Sequence, residues 1–168
     1  MNIELGRIGV EEYRTLPPSG LVLVLDNIRS AHNVGSAFRT ADAFRADRVC
    51  LCGISAQPPS AEIHKTALGA EFSVPWEHYA DTAEAVKKLR EQGYVIVSVE
   101  QTVNSLKLGS FERDPEKRYA LVFGNEVNGV RQDVVDASDF ALEIPQYGTK
   151  HSLNVSVSVG IVLWELHH

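Results

Sequence analysis

The run Leu21-Val22-Leu23-Val24-Leu25-Asp26 is apolar throughout and closes on an aspartate. An apolar run of strand length, with no polar alternation, predicts a strand buried on both faces. The residues after it, 30–45, change period. Val34, Ala37, Phe38 and Ala41 form one apolar stripe at helical spacing, with Ser30 or Asn33 placed to cap its start. The alternation continues outward. RVCLCGI (48–54) reads as a second strand, 59–68 as a short helix stopped near Gly69, and 81–92 as a clearer helix closed by Gly93. YVIVSV (94–99) and YALVF (119–123) read as strands, 130–136 as a short helix and 140–144 as a short strand. Strands alternating with helices predict an α/β domain with a mainly parallel sheet flanked by helices. Residues 1–168 are expected to form one domain, with 1–20 as a short N-terminal segment packed on it.

The end of the chain reads two ways. Leu153, Val155, Val157, Val159 and Ile161 alternate with Asn154, Ser156, Ser158 and Gly160, which favours a strand by period. Read as a helix, the same stretch puts Ser152, Ser156 and Gly160 on a small-residue face and Val155, Val159, Val162 and Leu166 on a large one.

The chain carries a net charge of −6, with 44% hydrophobic and 23% charged residues, an ordinary globular balance. That acidity argues against a sequence-independent nucleic-acid coat, which needs broad positive surface, but leaves room for a local basic cleft. The first twenty residues contain no apolar signal core and no run approaches a membrane span, so a cytoplasmic location is expected. Cys50 and Cys52 are expected as buried thiols on opposite faces of a strand, with no mutual disulfide.

Three segments rich in glycine and small polar residues follow strands, which is where parallel sheets bind ligands. They are Asp26 to Ala41 (DNIRSAHNVGSAFRTA), Phe123 to Val130 (FGNEVNGV) and Ile144 to Ser156 (IPQYGTKHSLNVS). No GxGxxG follows the first strand, and there is no phosphate loop, zinc-spaced ligand cluster or GxSxG elbow. Ordinary dinucleotide enzymes, phosphate-loop nucleotidases and serine hydrolases are thereby disfavoured, and no metal is expected.

In this order and with these separations, Asn33-x-Gly35-x-x-x-Arg39, Phe123-Gly124-Asn125-Glu126 and the 144–156 stretch resemble the three signature motifs of the SpoU (TrmH) family of RNA ribose methyltransferases, in the SPOUT superfamily. The resemblance runs from about Leu21 to Leu166. It implies a C-terminal third threaded into a deep trefoil knot, with residues 152–166 helical and the Ser152/Ser156/Gly160 face packed closely. It implies S-adenosyl-L-methionine bound in bent form among the loops after Val99, Phe123 and Ile144. The donor site would comprise Glu100, Gln101, Gly124, Asn125, Ile144, Pro145, Ser152 and Leu153.

The implied reaction is methyl transfer to a ribose 2′-hydroxyl of RNA. Arg39 matches the arginine to which the family assigns the role of base. A guanidinium is locked in its charged form. Arg39 is therefore expected to be essential, either oriented by an RNA phosphate or itself positioning the hydroxyl while water takes the proton. Asn33, Glu126, Ser152 and Asn154 match the other catalytic positions. The resemblance also implies a homodimer, the arginine of one protomer reaching toward the donor of the other, with 33–39 and the C-terminal helix at the interface. Arg29, Arg45, Lys65, Lys150 and His151 are expected RNA contacts, from their placement near the motif loops. Many members carry an N-terminal RNA-binding extension. Only about 20 residues precede the first strand here, which tips the expected substrate toward tRNA over rRNA.

Competing readings are methylation of a base nitrogen, a non-catalytic RNA-binding dimer that retains the knotted fold, and a small-molecule nucleotide sensor. The intact set of Arg39, Glu126 and Asn154 favours the enzyme. His32 and His151 read as exposed loop histidines rather than bases. Asn125 and Asn128 read equally well as turn formers, and Trp76 and Trp164 as core or interface aromatics.

Overall fold

The computed structural model describes residues 6–167. Seven strands among these residues form one sheet: β1 (Leu21–Asp26), β2 (Arg48–Cys52), β3 (Trp76–Tyr79), β4 (Tyr94–Val99), β5 (Leu106–Lys107), β6 (Arg118–Gly124) and β7 (Phe140–Glu143). Their order is β3-β2-β1-β6-β4-β7-β5, and every pairing is parallel. Two late strands slot between earlier ones, β6 between β1 and β4 and β7 between β4 and β5. The helices are α1 (Val10–Thr15), α2 (Ala31–Ala43), α3 (Ala61–Ala67), α4 (Ala70–Ser73), α5 (Thr82–Glu91), α6 (Gln132–Ala137) and α7 (Val155–His167).

β1 is buried at all six positions, as its unbroken apolar run predicts. Leu21, Leu23 and Leu25 pack with Phe38, Ile63 and Val159 on the face covered by α2, α3 and α7. Val22 and Val24 pack with Val86, Leu89 and Val134, contributed by α5 and α6, on the other face. Capping fixes the helix starts where the sequence supplies small polar residues. Ser30 Oγ accepts from Asn33 N (3.2 Å), Ser60 Oγ from Ile63 N (3.2 Å) and Asp81 Oδ1 from Ala83 N (2.8 Å). The N-terminal segment docks through Tyr13, whose hydroxyl donates to the Ala46 carbonyl (3.0 Å).

The structure departs from the sequence reading in several places. β3 (WEHY), β5 and α4 were not expected; each is four residues or fewer and too polar or too short to leave a period. The C-terminal stretch is a helix, as the family resemblance implies, and only the alternative period-2 reading fails. Its large residues Val155, Val159, Val162, Leu163 and Leu166 are buried in the core, and that burial outweighs the β-preference of an alternating valine run. The helix begins at Val155, so Ser152 lies outside it. Close packing at Gly160 is not observed: a Cβ there would sit 3.9 Å from Thr40 Cγ2, an ordinary contact. The tight helix crossing is at Gly35 instead, where a Cβ would come closer than 3.0 Å to Thr66 Oγ1 and the Ile63 carbonyl of α3. Cys50 and Cys52 face the same side, because residues two apart on a strand share a face. They stay unbridged because parallel Cβ vectors roughly 6.6 Å apart along a strand exceed disulfide reach. Burial pushes the Cys50 thiol up to about 12 and raises Cys52 as well.

Candidate active site

The carboxyl ends of β4, β6 and β7 open into a cleft of about 470 Å³, braced by two carboxylates, one at the end of β1 and one just past β4. Asp26, the last residue of β1, is 2% exposed. It accepts from Thr82 Oγ1 (2.5 Å), Asn27 Nδ2 (2.9 Å) and Arg131 N (2.9 Å). A buried carboxylate persists only when satisfied in this way. Glu100, just past β4, accepts from Gln101 N (3.0 Å) and Val130 N (3.1 Å). Together they hold the C-terminal end of the 125–130 loop, at Val130 N and Arg131 N. The loop also closes on itself: Asn125 Oδ1 accepts from Val127 N (3.0 Å) and Asn128 N (2.8 Å), and Gly129 N donates to Asn125 O (2.9 Å).

This closure explains the glycines. A Cβ on Gly124 would lie closer than 3.0 Å to the backbone of Gly129 and Val130. Gly129 has φ +64, and its own Cβ would meet Glu100 Oε2. Gly124 is needed so that the loop can fold back across the strand end.

A second chain of bonds joins all three motif segments within one protomer. Asn33 Nδ2 donates to Glu126 Oε1 (2.6 Å), and Asn154 Nδ2 donates to Asn33 Oδ1 (3.3 Å). Asn154 Oδ1 accepts from Ser156 N (2.9 Å) and Ser156 Oγ (2.5 Å), which is how an asparagine caps a helix start, here that of α7. The Asn33 amide thus uses both ends, fixing the Glu126 carboxylate and the start of α7 against α2.

Val99, Phe123, Ile144 and Leu153 supply apolar wall to the cleft. Glu100, Glu126 and Glu143 also line it, and no lysine or arginine does. Glu143 Oε2 accepts from Ser105 Oγ (2.5 Å). The partners named for all three carboxylates are neutral, so their negative charge is not cancelled. The cleft suits a cationic ligand that also carries a flat apolar part.

Of the expected donor-site residues, Glu100, Gln101, Gly124, Asn125, Ile144, Ser152 and Leu153 line the cleft; Pro145 does not, and Gln146 does. His151, expected as an RNA contact, lines it too. Arg39 is exposed on α2, away from the cleft lining, and has no hydrogen bond or ion pair among the described residues. Arg29 and Lys150 are exposed in loops at the same edge of the sheet. Lys65 Nζ pairs with Glu62 (2.7 Å), whose other oxygen meets His32 Nε2 (3.1 Å). Arg45 is not beside the motif loops. α2 starts at the carboxyl edge of the sheet and ends at the opposite edge, where Arg45 donates to the Pro17 carbonyl (2.9 Å). The sequence reading missed Thr82 and Glu143, which carry no motif. It quoted Asp26 without a role, although a charge ending an apolar strand was a readable sign of one.

Residues 20–164 match the SpoU rRNA methylase family. The chain belongs to that family. Among curated relatives of this SpoU chain, the 23S rRNA (guanosine-2′-O-)-methyltransferase RlmB of Nitrosomonas europaea is 36% identical over 154 residues, covering 89% of this chain and 56% of the relative. RlmB of Neisseria meningitidis is 34% identical, covering 93% and 60%. The chain therefore spans a little over half the length of these relatives. Among solved structures, the AdoMet-bound rRNA methyltransferase of Sinorhizobium meliloti superposes with a TM-score of 0.81 at 28% identity, covering 91% of this chain and 58% of that one. The TrmH/SpoU tRNA modifying enzyme of A. aeolicus gives 0.81 at 28%, covering 94% and 79%.

Proposed function

We propose that this chain is an S-adenosyl-L-methionine-dependent methyltransferase that acts, as a homodimer, on a ribose 2′-hydroxyl of RNA, tRNA ahead of rRNA. The Glu126–Asn33–Asn154 chain carries the reading: it joins the three motif segments at the rim of a carboxylate-lined cleft. The residues present fit the donor. An adenine suits the apolar wall of Val99, Phe123, Ile144 and Leu153, and a sulfonium suits the uncancelled glutamates. A volume of about 470 Å³ is within the usual range for cofactor sites. When bound, the donor supplies a methyl group on a positively charged sulfur. The interleaving of β6 and β7 between earlier strands supports the expected C-terminal knot, and the whole chain reads as one cytoplasmic methyltransferase domain.

Arg39 then acts across the dimer, since it is exposed and does not line its own cleft. Its guanidinium is a fixed cation with five donors. It would hold the ribose hydroxyl in line with the methyl group and stabilise the oxygen as its proton leaves for water. The dimer is supported by α7. Val157 (49% exposed), Ile161 (37%) and Trp164 (57%) recur at helical spacing on its outward face, a stripe that a second copy would cover.

Both pools appear among the similar proteins: the 36% identical relative of N. europaea is named for 23S rRNA, and the A. aeolicus structure at 28% is named for tRNA. The test is methyl transfer from labelled donor to unmodified total tRNA and, separately, unmodified rRNA, followed by nucleoside mass analysis. A 2′-O-methyl nucleoside in either pool supports the reaction, and tRNA is expected. A base-methylated product, or donor binding without transfer to either pool, overturns it, the latter in favour of a non-catalytic RNA-binding dimer.

A further inference from the structure

At the opposite edge of the sheet, where the strands begin, lies a second cleft of about 440 Å³. Its charge is the reverse of the first: Arg14, Arg45, Arg48 and Arg118 line it with a single carboxylate, Asp47. Asp47 is already engaged, accepting from Ser19 N (2.6 Å) and Oγ (3.1 Å) and from Gly20 N (2.9 Å). Three of the arginines are anchored on neutral carbonyls rather than acids. Arg14 donates to Phe72 O (2.7 Å), Arg45 to Pro17 O (2.9 Å) and Arg118 to Gln92 O. Arg48 meets Gln92 Oε1 (2.5 Å) and has one acid nearby, Glu77 at 3.5 Å. The Arg118 guanidinium is stacked on the Tyr94 ring, 4.5 Å from its centroid.

Arginines at helix ends commonly do no more than satisfy terminal carbonyls and oppose the helix dipole. That role requires neither a shared cleft nor a surplus of cations within it. Here each carbonyl anchor uses one part of a five-donor group and leaves its charge uncancelled. The anchors and the Tyr94 stack also hold the guanidiniums in place, which lowers the ordering cost of binding an anion. In a chain of net charge −6, such a concentration of cations needs an anionic partner or an account of its cost.

We infer that this arginine cleft binds the phosphodiester backbone of the substrate RNA, at a stretch remote from the methylated ribose. The inference rests on the RNA methyltransferase reading. The two clefts are about one strand length apart, roughly 20 Å, a span that a folded RNA bridges. The donor cleft, lined by glutamates, repels phosphates, so holding force must come from elsewhere on the surface.

The test is binding of unmodified total tRNA without donor, measured by fluorescence anisotropy across a salt series. Arg14→Gln/Arg118→Gln removes two charges at exposed positions. Arg14→Lys/Arg118→Lys keeps the charge and can still reach the carbonyls. The Gln pair is expected to weaken binding about tenfold or more near 0.1 M salt and to flatten the log–log salt slope by roughly 1–2, while the Lys pair stays near wild type. Donor affinity is expected to be unchanged in both. Equal tRNA affinity and slope in the Gln pair and wild type overturns the inference, as does equal loss in the Gln and Lys pairs, which marks a structural role. Because binding is read without catalysis, either result stands apart from the methyl-transfer assay.

Discussion

Gly124→Ala isolates what the folded-back loop contributes. A single methyl group at this position would overlap the Gly129 carbonyl group and the Val130 nitrogen. These are backbone atoms, so the loop must move, not a side-chain tip. Moving it breaks the bonds from Val130 N to Glu100 (3.1 Å) and from Arg131 N to buried Asp26 (2.9 Å). Hydrogen bonds to charged groups contribute about 1.5–3 kcal/mol each, so the closed loop loses roughly 3–6 kcal/mol. That is below most of the typical stability range of a domain, about 5–15 kcal/mol, so the protein still folds. At about 1.4 kcal/mol per tenfold, donor affinity measured by titration calorimetry falls by more than 100-fold, because the loop that lines the cleft is mostly open. The melting temperature drops by roughly 6–24 °C for a chain of this size. Gly148→Ala is the control: it lies in the loop after β7 with nothing within 4 Å of a Cβ, and it leaves both readouts unchanged. Donor affinity within about threefold of wild type in Gly124→Ala, well under 1 kcal/mol, would refute the loop-closure argument.

Arg39→Ala is expected to abolish methyl transfer while donor affinity stays within a few-fold; a large loss of donor binding would show that Arg39 serves its own cleft. Mixing Arg39→Ala with Gly124→Ala chains should restore about a quarter of wild-type turnover if each site is built from two protomers of a symmetric dimer, and nothing if it is not. Ile161→Glu places a charge in the exposed apolar stripe of α7 and should shift sedimentation to the monomer; an unchanged dimer would locate the interface elsewhere. Burial holds the Cys50 and Cys52 thiols well above their ordinary values, so both should resist a thiol reagent at pH 8 until the protein unfolds, and rapid native labelling would contradict their placement. Hydrogen bonds from Arg131 hold the Asp81 and Asp133 carboxyls below the ordinary carboxylate range. Their stabilisation is complete above about pH 4 and fades as pH falls through the lowered values, so Arg131→Gln should lower stability slightly near neutrality and converge with wild type at low pH, which flattens the acid limb of urea unfolding.

The sequence was most legible where burial is two-sided and long. The Leu21–Asp26 run could only be a central strand, and its six buried positions follow from the absence of any polar residue before Asp26. The Asn33, Glu126 and Asn154 constellation was legible as a motif but not as a bonded chain, because residues 93 and 121 positions apart meet only through the strand order. Arg45 shows the opposite failure. It stands six residues after Arg39 in sequence, yet a helix rises about 1.5 Å per residue, enough to carry it to the far edge of the sheet. β3 was invisible because a short edge strand needs no apolar face to pair with β2. The helix at the C-terminus was misread by period, because valine at alternate positions serves a helix equally well when the core accepts one stripe and the outward face is also apolar.

The net charge of −6 conceals two clefts of opposite lining that the fold sets apart. A methyl donor with a sulfonium is attracted by carboxylates, and an RNA backbone is repelled by them. One cleft cannot favour both by its fixed charges. Placing glutamates at the carboxyl edge of the sheet and arginines at the amino edge separates the two demands by about the length of a strand, roughly 20 Å or two Debye lengths at physiological salt. At that separation each cleft is screened from the other across solvent. A positive residue is still required beside the donor at the moment the ribose oxygen gains charge. If Arg39 comes from the second protomer, that cation arrives with the dimer rather than residing in the cleft, and the donor site keeps its negative lining until the two copies meet.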